Sequence, residues 1–255
     1  MASVPLEVCV DSINSALAAE RGGATRVELC SNLFEGGTTP SAGLISTVRH
    51  KISIGLHVMI RPRAGDFCYS ADEFEVMQQD ILNAKQLGAN GVVLGILNTG
   101  GSVNIERSRK LVELARPLTV TFHRAFDMSS DLFRALEDVI YTGANRILTS
   151  GGEPSAVEGM GALRRLVQAA GDRIILMACG GVRDHNVRAI LNQTQVPEVH
   201  AGMVDSVPSP MRCQNKRVVI GSAQSRDYAR LVMLQESVER IVETLREAEP
   251  IRSLS

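Results

Sequence analysis

Apolar and polar residues alternate along short segments that recur through this chain. In the first segment, Leu6, Val8 and Val10 share one face of an extended backbone, and Glu7 and Cys9 share the other. Segments of strand length occupy residues 6–10, 26–30, 55–61, 91–97, 118–123, 146–150, 173–178 and 198–201. Segments with helical periodicity follow them at residues 12–21, 41–50, 71–87, 105–115, 131–142, 156–170, 183–192 and 223–248. The pattern predicts a strand followed by a helix, repeated eight times.

Glycines mark the boundaries between these elements. Gly23, Gly88 and Gly143 each end a helical segment and are followed by alanine and then by a strand-length apolar run. Glycine readily takes the left-handed backbone conformation that ends a helix, so all three phrases indicate the passage from a helix to a buried strand. At the other end of a helix, Ser70 with Glu73 predicts a capping box, and Ser41 is a candidate cap for the second helix.

Alternating strands and helices predict a parallel sheet. The 255 residues suit a single-domain (β/α)₈ TIM-type barrel spanning residues 1–255, because such a barrel needs roughly 250 residues. The rival architecture, a doubly wound open sheet, usually carries a Gly-x-Gly-x-x-Gly turn after an early strand, and this chain has none. Residues 202–221 form a long irregular insertion before the last helix, and we expect a functional or interface loop there.

Composition narrows the class of function. A net charge of −1 gives no general attraction to nucleic acids, so we expect no nucleic-acid partner. No apolar run approaches the ~20 residues of a membrane span, and charged residues interrupt the N-terminal segment, so we expect no membrane association and a cytoplasmic location. The five cysteines are odd in number and contain no Cys-x-x-Cys pair, which argues against a disulfide framework or a closed zinc site.

The strand faces opposite the apolar ones are unusually polar. In a barrel the apolar face packs against the helices, so the second face points inward. The residues predicted to point inward are Glu7, Glu28, His57, Arg61, His123, Glu198 and His200. Two interpretations are open: an ion-pair network that only holds the barrel together, or a site at the carboxyl ends of the strands, where barrels carry their chemistry.

Two arginines follow strands at this end of the predicted barrel. Arg61 is followed by Asp66, and Arg124 by Asp127, so each carboxylate is expected to hold its arginine. Arginines held in this way can either pin their loops or bind a small anion by paired hydrogen bonds. Arg26, Arg146 and Arg173 begin strands at the opposite end, and we expect structural roles for them.

Several specific motifs are spread over most of the chain. The longest are residues 61–67, Arg-Pro-Arg-Ala-Gly-Asp-Phe, and residues 121–127, Thr-Phe-His-Arg-Ala-Phe-Asp; shorter ones occupy residues 6–12, 26–30, 35–41 and 148–151. Together these motifs resemble the CutC copper homeostasis family. The resemblance implies a (β/α)₈ barrel, a cytoplasmic location with a nuclear one also possible, a homo-oligomer of two or four chains, and copper handling with Cu(I) binding. It implies no particular reaction.

The resemblance also implies a copper site at Cys9 and Cys30. These residues lie on consecutive predicted strands about 4.8 Å apart, with both side chains inward. Two thiolates suit Cu(I), and Met59 on the next strand could add a thioether. The alternative is that the cysteines are buried apolar fillers. If Cys9 and Cys30 do not bind copper, the candidates become Cys68, Cys179 and Cys213.

The chain departs from the family pattern at a few positions. Ala64 and Cys179 stand where the family has glycine, Gly202 follows the last strand in an unusual phrase, and Gln214 stands where arginine is expected. Three of these changes lie in the last two strand-to-helix connections. We therefore do not expect those two connections to form an anion site.

A second function remains open: a TIM-barrel enzyme of the lyase, aldolase or isomerase kind, acting on a small anionic or phosphorylated metabolite. Glu28 or Glu7 would be the general base and His123 the acid, while Arg61 and Arg124 would orient the anion. The chain carries no motif for an organic cofactor.

Overall fold

A computed structural model describes residues 4–202, 205–215, 217–218 and 227–247. Eight parallel strands close into a barrel in sequence order, and β1 pairs with both β2 and β8. The strands are β1 (Leu6–Val10), β2 (Arg26–Leu29), β3 (Gly55–Met59), β4 (Gly91–Leu94), β5 (Thr119–Phe122), β6 (Arg146–Thr149), β7 (Ile175–Ala178) and β8 (Glu198–Ala201). The predicted TIM-type barrel is confirmed. The assignment of residues 1–255 to one domain stays a prediction.

Helices alternate with the strands and surround the barrel. They are α1 (Ile13–Arg21), α2 (Ala42–Lys51), α3 (Ala71–Gln86), α4 (Ile105–Ala115), α5 (Leu132–Thr142), α6 (Met160–Ala170), α7 (Asp184–Thr194) and α8 (Gln235–Glu247). The predicted capping box at the start of α3 is present, with the Ser70 side chain accepting from the backbone of Glu73 and the Glu73 carboxylate accepting from Ser70 N–H. Gly88 and Gly143 have φ near +83°, as the glycine-ended helices predict.

The chain beyond β8 differs from the prediction. Residues Ala229–Val232 form a strand, β10, paired antiparallel with β9 (Asp205–Pro208), where a helix over 223–248 and an irregular loop over 202–221 were predicted. The last helix begins only at Gln235. Residues 203–204, 216, 219–221, 223–226 and 248, which those two predictions also include, lie outside the described residues.

The barrel divides apolar from polar side chains as the alternation predicts. Leu6, Val8 and Val10 belong to the large apolar core between strands and helices, together with Ala16 and Ala19 of α1. The other faces of the strands meet inside the barrel, where buried polar side chains contact one another. Packing of the apolar core between strands and helices therefore positions the strand ends that carry the polar side chains.

Within the described part of the chain, no helix combines the length and the apolar character needed to cross a bilayer.

Candidate functional site

Two cysteines lie side by side at the carboxyl ends of β1 and β2. The Sγ atoms of Cys9 and Cys30 are 3.7 Å apart, and both side chains are buried. Met59 from the end of β3 and Val93 from β4 pack against them in a small apolar cluster. The sequence-based expectation that both thiols point inward on neighbouring strands agrees with this geometry.

A buried network of charges lies beside the cysteines inside the barrel. Arg26 donates to Glu7 Oε2 at 2.5 Å, and His200 Nδ1 donates to Glu7 Oε1 at 2.8 Å. Arg26 also contacts Glu198, which accepts from Arg146 Nε at 3.0 Å. Arg26 and Arg146 are therefore structural, as expected, because their charges are neutralised within the barrel.

The environment sets the protonation of this network. Burial alone would raise the pKa of Glu7, but the hydrogen bond from His200 and the charge of Arg26 hold that pKa well below its ordinary value. Burial opposes the charge on His200 as well, yet its hydrogen bonds with Cys9 and Glu7 raise its pKa well above the ordinary value. Glu7 thus serves as the anionic partner of Arg26 and His200, rather than as the base predicted to face a ligand.

The two thiols differ in acidity. The hydrogen bond from Cys30, with a further contribution from His200, lowers the pKa of Cys9 to about 6 against the effect of burial. The pKa of Cys30 is raised, first because its thiol hydrogen-bonds to Cys9 and then because it is buried. Burial also raises the pKa of Glu28, whose Oε2 lies 3.5 Å from Cys30 Sγ. At neutral pH the pair therefore consists of one thiolate and one thiol.

The ligand atoms of two residue groups are close enough to hold a metal ion. Cys9, Glu28 and Cys30 form one group, and Glu7, Glu28 and His200 form the other, with ligand atoms in each group within 4.8 Å of one another. In the second group Glu7 is already bonded to Arg26. The first group has two sulfur atoms, and sulfur is the ligand that a soft ion such as Cu(I) prefers.

A cavity of about 800 Å³ opens above the cysteines at the carboxyl ends of the strands. Its walls include Cys9, Glu28, Arg61, His123 and Arg124. The structure therefore brings the predicted site residues, apart from Glu7 and Cys30, to one cavity wall. This is the end of the barrel where such folds carry their sites.

Arg61 is held by backbone carbonyls. Its Nη1 donates to the carbonyls of Glu35 and Gly37, and its Nη2 donates to that of Gly65, each at 2.8 Å. The guanidinium also lies over the ring of Phe67, 5.1 Å from its centre. These contacts fix two loops around the cavity and leave Nε without a partner among the described residues.

The predicted pairing of Arg61 with Asp66 is wrong. Asp66 accepts instead from Arg63 Nη2 at 3.1 Å and from the backbone N–H of Cys68 at 2.9 Å. Arg63 donates from Nε to Glu73 as well, at 2.5 Å. The chain turns at the loop after β3, so Arg63 rather than Arg61 reaches the carboxylate.

His123 lies at the end of β5 with its ring in a confined space. A Cβ added at Gly95 would lie 2.6 Å from the ring, so only glycine leaves room for the imidazole there. The Ala125 N–H donates to His123 Nδ1 at 3.2 Å. Burial, together with the charge of Arg61, lowers the pKa of His123 to about 3, so the imidazole is neutral at neutral pH.

Arg124 is paired with Asp127, as predicted. Its Nε donates to Asp127 Oδ2 and its Nη2 to Ser150 Oγ, both at 2.8 Å. Asp127 also accepts from the backbone N–H of Ser150 and of Gly152. This arrangement fixes a half-exposed guanidinium at the rim of the cavity.

The departures from the family pattern fall in different surroundings. Cys179 is buried beside Leu148 and Met177, and it lines the cavity together with Gly180 and Gly181. Both glycines have positive φ, +85° and +74°, which other residues rarely adopt. Gly202 also lines the cavity, while Gln214 is exposed. Ala64 accepts a hydrogen bond from Arg63 through its carbonyl, a role that requires no particular side chain.

His200 is the residue near the cysteines that the sequence-based site left out. The alternation in β8 predicts that it points inward, but its pairing with Glu7 depends on closure of the barrel between β8 and β1. Ser150, which fixes Arg124 and Asp127, was also left out. Its place directly after β6 was the available signal.

The sequence of this chain is similar to those of known proteins. The profile of the CutC family matches residues 4–204. The human copper homeostasis protein cutC homolog is 47% identical over 220 residues, covering 86% of this chain and 81% of that protein. A CutC family protein of Chromobacterium violaceum is 46% identical over 243 residues, covering 95% of this chain and 97% of its own length.

A solved structure is similar to this chain in fold and in sequence. The crystal structure of the copper homeostasis protein CutC from Streptococcus agalactiae has a TM-score of 0.74 and 34% identity, covering 78% of this chain and 98% of that one. The barrel and the sequence matches point to one family. The chain belongs to the CutC family.

Proposed function

We propose that this protein binds Cu(I) through Cys9 and Cys30 and takes part in copper homeostasis inside the cell. The observation that carries the proposal is the 3.7 Å separation of the two sulfur atoms. A metal–sulfur bond is about 2.3 Å long in zinc sites, so two sulfurs bound to one ion are at most about 4.6 Å apart. The residues present therefore fit a small thiophilic ion without movement of the strands.

The surroundings of the pair favour a soft monovalent ion. Cys9 carries the thiolate, and Met59 packs against both cysteines, so a thioether is available as a third ligand. His200 acts behind the ligands, since it stabilises the thiolate of Cys9 and is itself held by Glu7. Binding through both sulfurs requires Cys30 to lose its proton, so the affinity should rise with pH.

Competition with a colorimetric Cu(I) chelator under anaerobic, reducing conditions tests the proposal. Cys9→Ser and Cys30→Ser should each weaken binding by more than about 100-fold, because the loss of a ligand exceeds the 10- to 100-fold cost of losing a residue behind one. Cys213→Ser is the matched control, since that cysteine is exposed and outside the pair. Wild-type affinity in a folded Cys9→Ser or Cys30→Ser variant would refute the site.

We further infer a homo-oligomer that acts in the cytoplasm, with the nucleus as a second compartment. Family membership supports the inference, because the family resemblance implies an oligomer of two or four chains. Light scattering after size exclusion should give a mass above that of one chain. A monomer at micromolar concentration would contradict the inference.

A further inference from the structure

Three buried polar atoms around the cavity have no hydrogen-bond partner among the described residues. They are Glu28 Oε1, Arg61 Nε and His123 Nε2, and each belongs to a side chain that lines the cavity. The exposed fractions of these residues are 3%, 5% and 3%. Buried polar groups are nearly always hydrogen-bonded, because leaving one unpaired is costly. Three such atoms around one cavity indicate that something else bonds to them.

Two of the three unpartnered atoms are hydrogen-bond donors, and the third is an acceptor. Arg61 Nε–H is a cationic donor, and the other nitrogens of its guanidinium are held by loop carbonyls. His123 Nδ1 accepts from Ala125 N–H, so the proton of the neutral ring is on Nε2, which is therefore a second donor. The third atom, Glu28 Oε1, belongs to β2 and is a hydrogen-bond acceptor.

Arg124 adds a second cation to the same cavity. Its Nε and Nη2 are bound to Asp127 and Ser150, and within the described part of the chain no hydrogen bond uses Nη1. A guanidinium fixed on one side keeps donors in a set orientation on the other, as a preformed anion site requires. The volume of about 800 Å³ lies in the range of sites for small organic ligands.

We propose that the barrel mouth is a binding site for a small organic anion that bears a hydroxyl group beside its charged group. Arg61 and Arg124 bind the oxyanion, and His123 Nε2–H donates to the neutral oxygen. Glu28 Oε1 accepts from a hydroxyl group of the ligand. A carboxylate and a phosphate ester meet these requirements equally, since both present oxygen atoms to a guanidinium.

The site is distinct from the copper site in its ligating atoms. Sulfur atoms of Cys9 and Cys30 hold the metal in the proposed function, whereas nitrogen and carboxylate atoms bind the anion. The cavity wall includes Cys9 and Met59 but not Cys30, so the two sites are neighbours that share part of one wall. Anion binding therefore needs no copper, and the enzymatic alternative needs this site whichever reaction is considered.

The first experiment uses the reduced full-length protein kept free of copper by a Cu(I) chelator. Thermal unfolding is followed with acetate, glycolate, inorganic phosphate and glycerol 3-phosphate, each at millimolar concentration. Glycolate should stabilise more than acetate, or glycerol 3-phosphate more than phosphate, since only the first of each pair carries an alcohol hydroxyl group. The pair that responds identifies the carboxylate or the phosphate ester. No shift with either hydroxyl-bearing probe, with or without binding of phosphate, refutes the proposal.

Variants then locate the site by calorimetric titration with the better probe. His123→Phe and Arg124→Met should each lower its affinity by about tenfold or more, because each removes a buried or charge-assisted hydrogen bond. If His123→Phe does not fold, His123→Asn replaces it. Arg109→Met is the control, since Arg109 is exposed on α4 and pairs with Glu113.

The outcomes separate this proposal from the copper site. Cys30→Ser should keep the anion affinity within about twofold while it loses Cu(I) binding. Wild-type anion affinity in folded His123 and Arg124 variants overturns the proposal and leaves copper binding untouched. Equal loss of anion binding in Cys30→Ser places the anion on the cysteines, which also overturns it.

Discussion

Glu7→Gln tests how far the buried charges support both the barrel and the cysteine site. The variant keeps the size of the side chain and removes its charge. Glu7 is fully buried, and its two oxygens accept from Arg26 at 2.5 Å and from His200 at 2.8 Å. Removal of one partner from a buried ion pair costs about 3–5 kcal/mol, because the remaining charge is left without compensation.

The structure places the expected cost at the lower end of that range. Arg26 also contacts Glu198, and His200 also hydrogen-bonds to Cys9, so neither cation would be isolated. We therefore expect a loss of about 3 kcal/mol, a large part of the roughly 5–15 kcal/mol that stabilises a typical protein. For a chain of this size the midpoint of thermal unfolding should fall by roughly 6–12 °C.

Urea and thermal unfolding of the metal-free protein measure the effect. Glu137→Gln is the matched control, because Glu137 also pairs with an arginine, Arg173, but on the exposed surface. An exposed pair contributes little, so the control should unfold close to the wild type. If Glu7→Gln were as stable as the control, the buried ion pairs would add nothing to the free energy of unfolding, and the argument from burial would be wrong.

The same variant should change the chemistry of Cys9. Loss of the Glu7 charge lowers the pKa of His200, and a neutral His200 no longer favours the Cys9 thiolate. The pH at which iodoacetamide begins to alkylate Cys9 should therefore rise above about 6. An unchanged alkylation profile in the folded variant would show that His200 does not act on the thiol.

Three further predictions concern single elements. Ser70→Ala should destabilise by about 1 kcal/mol in urea unfolding, because it removes the cap of α3. Gly95→Ala should cost about 1–3 kcal/mol and lower the thermal midpoint, since the new methyl group would meet the His123 ring. His123 has a folded pKa of about 3, below its unfolded value of 6.5, so the unfolded state gains the proton first as pH falls. Relative to His123→Asn, the wild type should therefore lose about 1.4 kcal/mol per pH unit between pH 6.5 and about 3, measured by urea unfolding.

The features that the sequence predicted correctly are those that depend on local residue patterns. Alternation assigns Cys9 and Cys30 to the inner face of neighbouring strands, and the parallel order of those strands places them side by side. The glycines after α3 and α5 end those helices because their backbone conformation is nearly closed to other residues. These features follow from a few consecutive residues, so the rest of the fold is not needed to predict them.

Contacts made after a strand ends could not be predicted in this way. Arg61 and Arg63 both lie near Asp66 in sequence, but β3 already ends at Met59, and it is Arg63 that bonds to Asp66. Alternation no longer determines direction beyond that point. The pairing of β10 with β9 also joins distant segments, and it replaced the helix that local periodicity predicted for residues 229–232.

The contribution of His200 to the acidity of Cys9 has the same non-local origin, although the hydrogen bond from Cys30 is the larger cause. His200 lies 193 residues from Glu7 in sequence, and the two meet because β8 pairs with β1, with Glu7 directly opposite His200. Neighbouring strands β1 and β2 alone would bring the two sulfurs together, but without closure of the barrel His200 would be missing and the thiolate would be less favoured. The position of the metal site is therefore set by the first two strands, while its readiness to bind at neutral pH depends first on Cys30, which follows the second strand, and further on His200 of the last strand.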